Sequence, residues 1–77
     1  MKLNKFMAYS DICISQTYLR VYNESGELGE RIEYYKNRKE YRDYYVDRFY
    51  MDVETNKSNE EIRVYPIIIV CIYKGEE

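Results

Sequence analysis

The sequence predicts a small α+β domain over residues 1–77: an antiparallel four-stranded sheet with two short helices on one side, in the order αββαββ. Three observations lead there. Apolar residues recur at helical spacing near the N-terminus and tyrosines do so again in the middle of the chain. Between and after these segments the period drops toward two, with β-branched and aromatic residues enriched. At 77 residues the chain supports one thin core, which leaves little room for a deep internal cavity.

Leu3, Phe6 and Met7 at i, i+3 and i+4 predict a short docking helix ending near Tyr9, with Ser10 and Asp11 breaking it. Residues 12–22 read as strand, strongest over 17–22 (Thr-Tyr-Leu-Arg-Val-Tyr). Asn23-Glu24-Ser25-Gly26 has Asn first and Gly fourth, the pattern of a type I turn, so a returning strand over about 27–34 is expected to pair with 17–22. Residues 35–45 contain no Gly, Pro, Val or Ile, and Tyr34, Arg38, Tyr41 and Tyr45 fall at helical spacing, predicting a second helix. Phe49, Met51 and Val53 then alternate with Arg48, Tyr50, Asp52 and Glu54, so a half-buried strand is expected with its apolar side on the core. Residues 55–59 read as a polar loop and 61–73 as the last strand, with a bulge or edge position at Pro66. Residues 67–72 are six consecutive apolar side chains, which need cover on both faces of a sheet. Two helices cover one face, so self-association, a homodimer being one form, or burial against a partner is expected to cover the rest.

No His is present, which removes the commonest general base and metal ligand, and two isolated Cys cannot build a tetrahedral zinc site. No cofactor or metal is expected. Cys13 and Cys71 each sit between apolar neighbours and read as buried, inert thiols; a disulfide between them is the alternative reading. The N-terminal lysines are not followed by an apolar core of signal-peptide length, and no apolar run approaches a membrane span, so a cytoplasmic protein is expected. Glycines at 26, 29 and 75 form no phosphate-binding loop. Asp52 and Glu54 share a strand face, the minimum for paired acid–base work, but nothing adjacent in sequence would separate their pKa values, and catalysis is not expected.

Net charge is −2 and unevenly spread. Within residues 31–48 the cations Arg31, Lys36, Arg38, Lys39, Arg42 and Arg48 outnumber Glu33, Glu40, Asp43 and Asp47. After that the acids Asp52, Glu54, Glu60, Glu61, Glu76 and Glu77 outnumber Lys57, Arg63 and Lys74. Eleven tyrosines are too many for so small a core. Tyr offers large contact area at low rotamer entropy and is enriched with Arg at protein–protein hot spots. Tyr34, Tyr41 and Tyr45 read as filling the helix-to-sheet seam. Tyr35 and Tyr44 fall off that stripe and, with Arg38, Lys39 and Arg42, form the expected contact surface. Rings interleaved with cations also suit single-stranded nucleic acid, so a nucleic-acid-binding regulator using residues 34–48 is the second reading.

Leu3-x-x-Phe6-Met7, the segment Tyr18-Leu19-Arg20-Val21-Tyr22-Asn23-x-x-Gly26, and the strands over 46–54 and 62–72 together resemble short uncharacterised α+β proteins of Gram-positive phages and mobile elements. The likeness spans most of the chain and is one of pattern. It implies a non-enzymatic inhibitor of host machinery, of anti-defence or anti-CRISPR type, working in the host cytoplasm. Such acidic inhibitors present carboxylates at a nucleic-acid site of their target, and here Asp52, Glu54, Glu60 and Glu61 would be the matching surface. Sequestration of a cyclic nucleotide at an oligomer interface is a third reading and has no phosphate-binding motif behind it.

Overall fold

The computed structural model describes residues 1–75; Glu76 and Glu77, which the sequence marks as a tail, lie outside the described residues. Helix α1 (Leu3–Tyr9) is followed by a 3-10 turn (Ile14–Gln16), strands β1 (Thr17–Val21) and β2 (Ile32–Glu33), helix α2 (Tyr34–Tyr41) and the long strands β3 (Tyr45–Ser58) and β4 (Glu61–Tyr73). The 3-10 turn departs from the expected αββαββ order. The fold is α+β, with a four-stranded sheet in the order β2-β1-β4-β3.

That sheet is mixed, not antiparallel as expected. β2 runs antiparallel to β1 and β3 antiparallel to β4, but β1 and β4 lie parallel, from Thr17 beside Ile68 to Val21 beside Ile72. The physical reason is the apolar run in β4. Ile67, Ile69 and Cys71 point to one face and Val70 and Ile72 to the other, all 0–2% exposed, so this strand belongs at the centre. The segment through α2 carries the chain from one edge of the sheet to the other, and the turn after β3 then brings β4 back alongside β1.

On the helical face, Leu3 of α1, Leu19 of β1, Tyr34 of α2, and Val70 and Ile72 of β4 form the core, with Phe6, Met7, Tyr41 and Tyr44 packed against it. At seven residues α1 is too short to be stable alone. Its first N–H groups are satisfied by the main chain after α2, Leu3 N donating to Tyr44 O at 2.7 Å and Asn4 N to Arg42 O at 3.0 Å. Residues 67–72 are therefore covered within one chain, so they supply no exposed run for self-association or a partner to cover. Their helix-free face is covered by long side chains of β1, β3 and the 29–31 segment.

Several boundaries also differ from the sequence reading. The expected strand over 27–34 shrinks to Ile32–Glu33, because Gly29 N bonds Val21 O at 2.9 Å while the Arg20 guanidinium takes Gly29 O at 2.8 Å, which bends the segment over the sheet. Helix α2 ends at Tyr41, so Tyr45 begins β3 and stacks on Tyr73, ring centroids 5.7 Å apart, in place of lining a helix seam. Residues 55–58 are strand, not loop, and the turn is Asn59-Glu60, both at positive φ (43° and 70°), as a two-residue hairpin requires. Pro66 pairs with Val53 without a bulge; β1 reaches β4 only from Ile68 on, so β4 has one neighbour there and the missing N–H is tolerated. The register shift lies between Val46 and Arg48 instead.

Candidate interaction surfaces

Helix α2 is amphipathic through unlike faces. Tyr34 is buried, and Tyr41 packs on the core with its ring 4.8 Å from, and edge-on to, that of Tyr44. Burial raises the Tyr41 phenol pKa. The helix breaks at Arg42-Asp43, and Tyr44 N returns to Tyr41 O, so Tyr44 folds back half-buried on the core; the expectation that it is an exposed contact residue is corrected.

Tyr35, Arg38, Lys39 and Arg42 stand at i, i+3, i+4 and i+7 and are all exposed, Tyr35 at 64%. The Arg38 guanidinium lies 5.8 Å from the centroid of the Tyr35 ring. Arg38, Lys39 and Arg42, with Asn4 of α1 and the edge of Tyr34, line a shallow depression of about 190 Å³. Among the described residues none of these three cations is in an ion pair, whereas Lys36 is held by Glu33 at 3.4 Å. Arg38 and Lys39 also lie in the last turn of the helix, where its dipole favours positive charge.

The four carboxylates expected to act together are spread along the hairpin. Glu54 is ion-paired with Arg31 and half-buried. Arg31 also lies over the Tyr18 ring at 5.1 Å. The Tyr18 phenol pKa is raised chiefly by burial, then by the charge of Glu54. Asp52 lies on the same helix-free face, beside a shallow depression of about 450 Å³ that Arg20, Glu30, Arg31, Tyr50 and Ile69 complete. Arg20 also reaches the Tyr50 hydroxyl at 3.4 Å. This cluster shields Ile67 and Ile69, which accounts for its geometry as packing. Glu60 and Glu61 are exposed at the hairpin tip, Glu61 being 3.5 Å from Arg63.

Cys13 is exposed and Cys71 buried, and both are free thiols. For Cys13 this overturns the buried, inert reading: its Sγ lies 3.0 Å from Ser15 Oγ, and that hydrogen bond lowers the thiol pKa.

Sequence reasoning missed a second surface. Phe49, Met51 and Val53, expected to face the core, are 56, 68 and 58% exposed, and Ile62 and Val64 beside them 65 and 61%. Phe49 meets α1, its ring 5.2 Å from that of Phe6. A length comparison carried the signal: an eight-residue helix spans roughly 12 Å, a 14-residue strand roughly 46 Å, so short helices cannot cover such strands. Among the described residues no helix is long and apolar enough to cross a membrane. Comparison with protein-family models, curated proteins and solved structures finds no match to this chain.

Proposed function

We propose that this chain is a non-enzymatic protein-binding module that inhibits or regulates a host protein in the host cytoplasm by stoichiometric binding, as the phage and mobile-element proteins it resembles imply. The contact surface is the α2 face of Tyr35, Arg38, Lys39 and Arg42. The observation that carries this reading is that these four exposed side chains share one helix face, with a guanidinium stacked on a ring and three cations free of ion pairs among the described residues. Tyr and Arg together form the commonest hot-spot chemistry, and a cationic face fits an acidic patch on the partner. The acidic alternative surface is weaker, because Glu54 is committed to Arg31 within the chain.

The test is a pull-down from host lysate, with and without nuclease, using the tagged chain and a Tyr35→Ala/Arg42→Glu variant. The expected result is a nuclease-resistant protein partner that the variant loses. Recovery of nucleic acid, with binding that collapses between low and physiological salt, replaces this reading with the nucleic-acid regulator. A partner retained by the variant places the contact elsewhere and overturns the assignment.

A further inference from the structure

The outer half of the β3–β4 hairpin leaves the sheet. β1 reaches β4 only between Ile68 and Ile72, so residues 53–58 and 61–66 form a two-stranded ribbon with no third strand and no helix above it among the described residues. Such a ribbon is marginally stable in water by itself. Its register nevertheless sorts the side chains sharply. Phe49 lies opposite Val70, Met51 opposite Ile68, Val53 opposite Pro66, Thr55 opposite Val64 and Lys57 opposite Ile62. Directly opposed residues of an antiparallel pair share a face, so these ten line the helical side. Arg48, Asp52, Glu54, Glu61 and Arg63 alternate onto the other side, and Lys57 at the tip is the one charge on the apolar face.

We propose that this stripe is the interface of a homodimer, in which the hairpins of two copies pack face to face about a two-fold axis. An isologous contact brings each residue against the same patch, so a face rich in one sign of charge repels itself, whereas this stripe carries a single charge, Lys57, confined to the hairpin tip. Phe49, Met51, Val53, Ile62 and Val64, more than half exposed, offer on the order of 500 Å² of apolar surface, the size of the largest and often functional patch on a monomer. Two copies together bury on the order of 1,000 Å², an area at the small end of biological interfaces that fits a weak, reversible dimer. Face-to-face packing also gives each ribbon the second layer that its own short helices cannot supply. The residues that meet differ from those in the proposed α2 contact, so the dimer presents that surface twice.

Sedimentation equilibrium of the full chain from about 1 to about 200 μM tests this. The expected result is a reversible monomer–dimer equilibrium. Met51→Lys and Ile62→Lys, each checked for an unchanged circular dichroism spectrum, should weaken it about tenfold or more, while Asp52→Asn on the opposite face leaves it unchanged. Ile62 lies far from the core, so its variant keeps the test decisive where Met51→Lys disturbs folding. A monomer at every concentration overturns the proposal and leaves the stripe for a different protein. A dimer that survives both lysine variants overturns it too, because the copies then meet elsewhere. Tyr35→Ala/Arg42→Glu should dimerise normally, and the lysine variants should keep the partner of the α2 face, so failure of one reading is distinguishable from failure of the other.

Discussion

The Tyr22 hydroxyl donates a 2.8 Å hydrogen bond to Asp47 Oδ2, crossing β4 from the end of β1 to the bulge in β3. The bond requires the phenol to keep its proton, and it raises the Tyr22 pKa above the ordinary tyrosine value. A folded chain that holds a proton the unfolded chain releases has its full stability below the unfolded pKa, near 10, and loses it as pH rises through the folded value. Burial pushes Tyr18 and Tyr41 in the same direction. The melting temperature should therefore lose stability from these three groups only above about pH 10, and Tyr22→Phe should flatten that alkaline limb. Melting curves across the alkaline range, with phenolate absorbance recorded in parallel, check both.

At the hairpin tip Glu60 holds φ at +70°, a region that an L side chain occupies at a cost of about 1–2 kcal/mol. Glu60→Gly should remove that cost and stabilise the chain by about 1 kcal/mol, raising the melting temperature by about 5 °C. Asn59, at φ +43°, already has a side chain suited to this region, and Asn59→Ala should be destabilising. Thermal melts of the two variants should shift in opposite directions.

The helix-free side of β4 is a true core face. Ile67 is 0% exposed, so Ile67→Ala should cost about 3 kcal/mol, a large fraction of the stability of so small a domain. Ile62, five residues earlier on the same strand, is 65% exposed, and Ile62→Ala should change monomer stability by less than about 0.5 kcal/mol. Denaturant titrations at concentrations below self-association give the comparison directly.

The two thiols should react very differently. In the native protein iodoacetamide should modify exposed Cys13 and spare buried Cys71. Ser15→Ala removes the hydroxyl that lowers the Cys13 pKa, so alkylation at neutral pH should slow. Mass spectrometry of the labelled peptides, followed over time, resolves each site.

Elements set by local periodicity were legible in the sequence. Leu3, Phe6 and Met7 gave α1 its face, and the strand over 17–22 and the apolar centre of β4 were readable from composition. Period reports which side chains share a face and is silent on which strands are neighbours, so the parallel β1–β4 pair was not legible. The same limit applies at the surfaces. The spacing of Tyr35, Arg38, Lys39 and Arg42 was visible, but Tyr44 is turned inward by a helix end at Tyr41, and Glu54 is taken by Arg31, 23 positions away in sequence. Phe49, Met51 and Val53 carry an inward-facing alternation, and only the length of the hairpin relative to its helices leaves them uncovered.

The central strand of this sheet is also the last one to be made. β1 has β2 on one side and needs β4 on the other, yet Thr17 and its partner Ile68 are separated by most of the chain. On the ribosome, α1, β1, β2 and α2 all emerge before the strand that joins them, so the N-terminal half waits with Leu3, Leu19 and Tyr34 unburied. The β3–β4 hairpin can close locally, whereas docking β1 onto it means closing the segment of about 23 residues between Val21 and Tyr45, the slow step for a topology of this kind. Synthesis that stalls before residue 67 leaves a chain with no sheet to fold onto, and such a nascent chain is an early substrate for chaperones and proteases.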